Sequence, residues 1–81
     1  AIMAHDGVAR AIRPSHAPMD GDLVFVAATG KTSCAPDLRQ LSDIGFSAAR
    51  CLARAIARAI YEATALPFPG ALPAYRDLFP R

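Results

Sequence analysis

Asp20 and Asp22 are separated by one glycine and stand directly before the apolar run Leu23-Val24-Phe25-Val26-Ala27-Ala28-Thr29-Gly30. In an extended chain, residues two apart leave the same face, so both carboxylates would emerge together, with Gly21 leaving room for close backbone approach. Like charges held that close oppose one another, and such acid pairs recur where a proton is moved or a nucleophile is oriented. The residues alone also admit a plainer reading, a polar turn in which Asp20 and Gly21 begin a strand.

Other chemistries have weaker support. His5, His16, Cys34 and Cys51 are possible metal ligands alongside the two acids, but no cysteines are paired at ligand spacing. Asp20-Gly21-Asp22 runs into a strand pattern and not into a calcium loop closed by a glutamate. Neither a metal nor a cofactor is expected. Ser15 with His16, or Ser33 with Cys34, suggests a nucleophile and its base, yet the local signatures of catalytic serine or cysteine are missing; His16 reads as a loop residue bonding locally. Thr29-Gly30-Lys31-Thr32 lacks the earlier glycine of a phosphate-binding loop. Arg50, Arg54 and Arg58 repeat every fourth residue, with Glu62 one turn beyond, but the net charge is only +2 and no aromatic stacking residues are interleaved. A solvated or salt-bridged helix edge is the expectation there, and nucleic acid is not an expected partner.

The elements that would position the acids follow from periodicity. Ala1, Ala4, Val8 and Ile12 mark one helical face, widened by Ile2, Ala9 and Ala11. Gly7 weakens this helix, Arg10 and Arg13 complement its C-terminal dipole, and Pro14 prevents continuation. Residues 23–28 are apolar without alternation, as in a strand covered on both faces. Asp37 is placed to cap a long helix from about Leu38 to about Ala63, whose apolar band comprises Leu41, Ile44, Ala48, Cys51, Leu52, Ala55, Ile56, Ala59 and Ile60. From Ala65 onward, Pro67, Pro69, Pro73 and Pro80 predict an extended segment that follows the surface.

A chain of 81 residues that is 53% hydrophobic and 20% charged is globular in composition, but it is short for burying a large core. A single central strand cannot satisfy its own backbone groups, so the chain is expected to be incomplete as a folding unit. Missing upstream sequence, a partner chain or a homo-oligomer would supply the rest of the sheet. The first apolar run is too short and too interrupted for a signal peptide, and no membrane span is present. Nothing in the cysteine usage demands an oxidising compartment, and a cytoplasmic location is the expectation.

The run Met3-Ala4-His5-Asp6-Gly7-Val8-Ala9-Arg10-Ala11-Ile12-Arg13-Pro14, then His16, Asp20-Gly21-Asp22, Phe25 and Ala28-Thr29-Gly30, resembles the C-terminal part of the DmpA-like family. These are self-processing N-terminal-nucleophile hydrolases, among them L-aminopeptidase/D-esterases, beta-peptidyl aminopeptidases and nylon-oligomer hydrolases. The likeness is greatest to the nylon-oligomer hydrolase branch and continues to Pro73-Ala74-Tyr75-Arg76-Asp77. It implies an α/β fold, one part of an α/β/β/α sandwich, with residues 1–81 as a C-terminal fragment of a single hydrolase domain. It also implies a precursor that cuts itself and exposes a Thr or Ser, whose hydroxyl attacks an amide carbonyl while its own amino group serves as base. Asp20 and Asp22 match the acids that orient this nucleophile; aminopeptidase members carry Ser-x-Glu there. The family's nucleophile lies upstream of the segment matching Ala1, which has no hydroxyl, so the chain alone is expected to be inactive. Its partners would be the larger subunit of the same precursor, a short peptide or oligoamide substrate, and further copies in a homo-oligomer. Two alternatives stand beside this reading: a non-catalytic scaffold or oligomerisation module of the same fold, and a relative of N-acetyl-ornithine transferases.

Overall fold

A long helix carries the architecture, and everything ordered against it is short. The computed structural model describes residues 1–80, with α1 at Ile2–Ala11, α2 at Leu38–Glu62 and α3 at Tyr75–Leu78. Asp37 caps α2 as its position suggests. Its Oδ1 accepts from the Gln40 amide at 2.8 Å, while Gln40 Oε1 accepts from the Asp37 amide at 3.0 Å. This reciprocal box satisfies two amides that the first turn would otherwise leave without partners.

Helix α1 packs on α2 through small residues. Ala4 and Val8 are buried at the contact and Ile12 is half-buried, whereas Ala1 of the same expected face remains exposed. Gly7 is buried because it lies against the backbone carbonyl of Ala49, where a β-carbon would collide. Gly45 of α2 faces the Met3 side chain just as closely. Gly7 therefore costs helix propensity and in exchange lets the two backbones approach. Only a stripe of α2 is covered, with Ala49 buried and Gly45, Ala48, Leu52, Ala53 and Ile56 half-buried. Leu41, Ile44, Cys51, Ala55, Ala59 and Ile60 of the expected apolar band stay exposed.

Residues 12–37 form neither helix nor paired strand. The strand expected over 23–28 has no second strand beside it among the described residues, so its backbone groups have no ladder to join, and Phe25 is 88% exposed. The radius of gyration is 16.8 Å, where a compact domain of this length would have about 12 Å. Ala4, Val8 and Ala49 are the only buried hydrophobic side chains among the described residues.

The tail departs from the extended segment expected of it. Its proline-free stretch after Pro73 closes into one helical turn, α3, where the Asp77 carboxylate accepts from the Ala74 amide at 2.9 Å. Tyr75 lies between Tyr61 and Phe79, at ring separations of 6.3 and 5.0 Å. Arg76 stacks over the Tyr61 ring at 5.3 Å and donates to the Glu62 carbonyl at 3.2 Å, so the tail meets the C-terminal end of α2. The ion pairs of Glu62 with Arg58 (3.9 Å) and Arg76 (4.0 Å) are long and solvated, and add little stability.

Candidate functional site

The two acids lie in a turn, and the turn treats them differently. The Asp20 amide donates to the Ala17 carbonyl at 2.8 Å, closing a tight bend over 17–20. The Asp20 carboxylate then accepts two backbone bonds, from the His16 amide to Oδ2 at 3.1 Å and from the Asp22 amide to Oδ1 at 3.2 Å. The second of these is the Asx-turn pattern, in which an aspartate replaces a backbone acceptor two residues on. Asp22 is exposed, and its carboxylate makes no hydrogen bond or ion pair among the described residues. No strand is formed at this junction, and the Asp20 carboxylate bonds to the chain around it. Asp20 organises the backbone, and Asp22 keeps its carboxylate available.

His16 joins this turn to α1. Its backbone has φ of +53°, a left-handed conformation that few residues with a β-carbon adopt but that histidine tolerates better than most. Its Nε2 lies 3.3 Å from Nδ1 of His5, with the rings tilted by 53° and their centres 4.9 Å apart. One of these nitrogens carries the proton and the other accepts it. Local bonding was expected of His16; its pairing with His5 was not. The available signal was the place of His5 in α1, next to Ala4 at the margin of the buried face.

The remaining candidates do not converge on the acids. Cys34 and Cys51 are free and exposed, on the loop and on α2 respectively. No group of three or more His, Cys, Asp or Glu side chains is arranged to hold a metal ion among the described residues. A hollow of about 660 Å³ runs along one flank of α2 between Ser47 and Arg58 and includes neither aspartate. Arg50, Arg54 and Arg58 line it, and Arg50 lies over the Phe46 ring at 5.7 Å, on an exposed helix edge. No helix among the described residues is long and apolar enough to cross a membrane.

Comparison with known proteins identifies the group to which this arrangement belongs. The model of peptidase family S58 matches residues 1–71, a span that includes α1, the His5–His16 contact, both aspartates and α2. The chain belongs to this family. It is 43% identical over 90 aligned positions to an uncharacterised aminopeptidase of Mycobacterium tuberculosis, covering 99% of this chain and 25% of the relative. An uncharacterised aminopeptidase of Mycobacterium leprae is 36% identical over 90 positions, covering 99% of this chain and 24% of that protein. The chain thus spans about a quarter of the length of these relatives. No solved structure matches it.

Proposed function

We propose that this chain is the C-terminal portion of a self-processing amide or peptide hydrolase, in which Asp20 and Asp22 arrange a Thr or Ser nucleophile supplied by the preceding part of the precursor. The observation that carries the proposal is the division of labour in the turn: Asp20 is committed to the His16 and Asp22 amides, and the Asp22 carboxylate is left exposed. An acid fixed by its backbone and unpaired at its carboxylate is suited to accept a hydrogen bond from the hydroxyl or ammonium group of an N-terminal nucleophile. In that reaction the hydroxyl oxygen bonds to the substrate carbonyl carbon and its proton passes to the nucleophile's own amino group. The proton then leaves on the departing amine, and water cleaves the resulting ester.

Membership of peptidase family S58 and the aminopeptidase names of the relatives support hydrolysis of short peptides. Aspartate at both positions, instead of Ser-x-Glu, favours the nylon-oligomer branch and hence oligoamides. In the assembled enzyme, residues 23–28 become a strand of an α/β/β/α sandwich, and the remainder of the precursor covers the bare faces of that segment and of α2. Further copies complete a homo-oligomer, and the cytoplasm is its proposed location. The exposure of Phe25, Ile44 and Ile60 supports this assembly.

The test uses the processed precursor. Asp22→Asn should lower turnover of an aminoacyl anilide or a short nylon oligomer by about 10²-fold, the scale of a positioned electrostatic group, while barely moving the unfolding midpoint. Asp20→Asn should act similarly and also slow self-cleavage. Arg54→Gln, on the remote edge of α2, should leave turnover unchanged. Normal turnover by both aspartate variants would reduce the pair to a structural turn, and a precursor with neither self-cleavage nor turnover would favour the non-catalytic scaffold.

A further inference from the structure

We propose that His5 is a positioning residue for the acid pair, acting through His16 to hold the turn that carries Asp22 against α1. The inference rests on the reading of Asp20 and Asp22 given above. One continuous line of polar contacts leads from the helix to the exposed carboxylate. His5 Nδ1 meets His16 Nε2 at 3.3 Å, the His16 amide donates to Asp20 Oδ2 at 3.1 Å, and Asp20 Oδ1 accepts from the Asp22 amide at 3.2 Å.

Both ends of that line have the properties the role requires. At one end, α1 is held on α2 by buried Ala4 and Val8 and by the seating of Gly7 on Ala49. At the other, the turn holds Asp22 only through Asp20, because the Asp22 side chain has no partner of its own among the described residues. Between them, His16 keeps a left-handed backbone at φ +53°, and such a conformation persists where surrounding contacts over-determine it. Here those contacts are the ring bond to His5 and the amide bond to Asp20. No third His, Cys, Asp or Glu side chain joins the two imidazoles in such a group among the described residues.

The expected effect follows from geometry. Displacement of a catalytic group by about 1 Å can cost on the order of 10²-fold in rate, and a single exposed hydrogen bond restrains only part of such a displacement. His5→Ala should therefore lower kcat by about 10-fold and leave KM within about twofold, because the substrate is not touched. Alanine is a strong helix former, so α1 itself is not weakened. Asn at position 5 presents an amide close to the place of Nδ1, and His5→Asn should recover most of the rate.

The experiment is steady-state hydrolysis of an aminoacyl anilide by the processed full-length enzyme, normalised to the processed fraction, with unfolding midpoints measured in parallel. His5→Ala is made alone and in the Asp20→Asn background, where it should add less than about twofold because the line is already cut. His16→Asn provides an independent cut: it keeps a residue that tolerates the left-handed region but shortens the side chain out of reach of His5, and it should match His5→Ala. This second variant decides the matter if His5→Ala fails to fold. Full turnover by His5→Ala or by His16→Asn, a loss confined to KM, no rescue by His5→Asn, or a full additional 10-fold loss in the Asp20→Asn background would each overturn the proposal. If Asp20→Asn and Asp22→Asn are themselves fully active, the acid-pair reading falls and the positioning role falls with it. If they are inactive while His5→Ala is not, the positioning role alone falls.

Discussion

The connection between α1 and α2 divides at Asp22 into a tethered half and a loose half. Ahead of that point, Ile12 bonds back to Val8, Asp20 to Ala17, and His16 and Asp22 to the Asp20 carboxylate, with His16 reaching His5 on α1. Beyond it, residues 23–36 make no hydrogen bond among the described residues, and Leu23, Phe25 and Val26 are exposed. The more hydrophobic half is thus the one without hydrogen bonds. Turn bonds between residues two to four apart close with little loss of chain entropy, so a short segment can make them unaided. A strand must receive its bonds from another strand, and hydrophobicity alone cannot provide that neighbour.

The sharpest way to break this contrast is Phe25→Ala, made in two settings. In the 81-residue chain the ring is mostly exposed, and thermal unfolding followed by helicity should shift by no more than about 0.5 kcal/mol. In the complete precursor, where the segment is proposed to become a covered strand, the same change should cost about 3–5 kcal/mol. Equal effects in both settings would mean that the loose half is loose in the enzyme as well.

A smaller effect is expected on the tethered side. Gly7→Ala gains about 1 kcal/mol of helix propensity but drives a methyl group into the Ala49 carbonyl, where overpacking costs about 1–3 kcal/mol. A net loss in the unfolding midpoint is expected, together with faster amide exchange at His16 and Asp22 as α1 lifts. A stabilised variant would show that the close approach of the helices is not needed to hold the turn. The smallest change should come from Asp37→Ala, which removes the cap between the loose half and α2 and should cost about 1 kcal/mol. Amide exchange should then quicken in the first turn of α2 and leave the His16 and Asp22 amides untouched.

Legibility in the sequence followed the range of the interactions. Helix α2 could be read from its band and from Asp37, since capping and periodicity are local, and its observed end at Glu62 lies one residue short of the expected Ala63. The Ala4–Val8 face of α1 was legible for the same reason. In the sequence Gly7 is only a weakness of α1, because its value depends on a partner, Ala49, that lies far along the chain. The acids were recognisable by type and spacing, but their inequality was not: strand alternation treats Asp20 and Asp22 alike, whereas the turn occupies one carboxylate and leaves the other open. The pairing of His5 with His16 is not legible in the sequence, because 11 residues separate them and the chain must double back to bring the rings together. In the tail, the prolines concealed the free stretch in which α3 forms.

The two glycine contacts between α1 and α2 also act as a rotational key. Gly7 gives room to the Ala49 backbone and Gly45 to the Met3 side chain, so a turn of α1 that replaced Gly7 by a neighbouring residue would set a β-carbon against the Ala49 carbonyl. The azimuth of His5 is thereby indexed to α2. One residue inserted between His5 and Gly7 would turn the imidazole, and Met3 with it, by about 100° about the seated glycine, so the ring would leave His16 and Met3 would leave Gly45. A change of length between His5 and Gly7 should consequently cost more than a change of residue type at exposed Ile2 or Asp6, because it leaves His16 without its partner on α1.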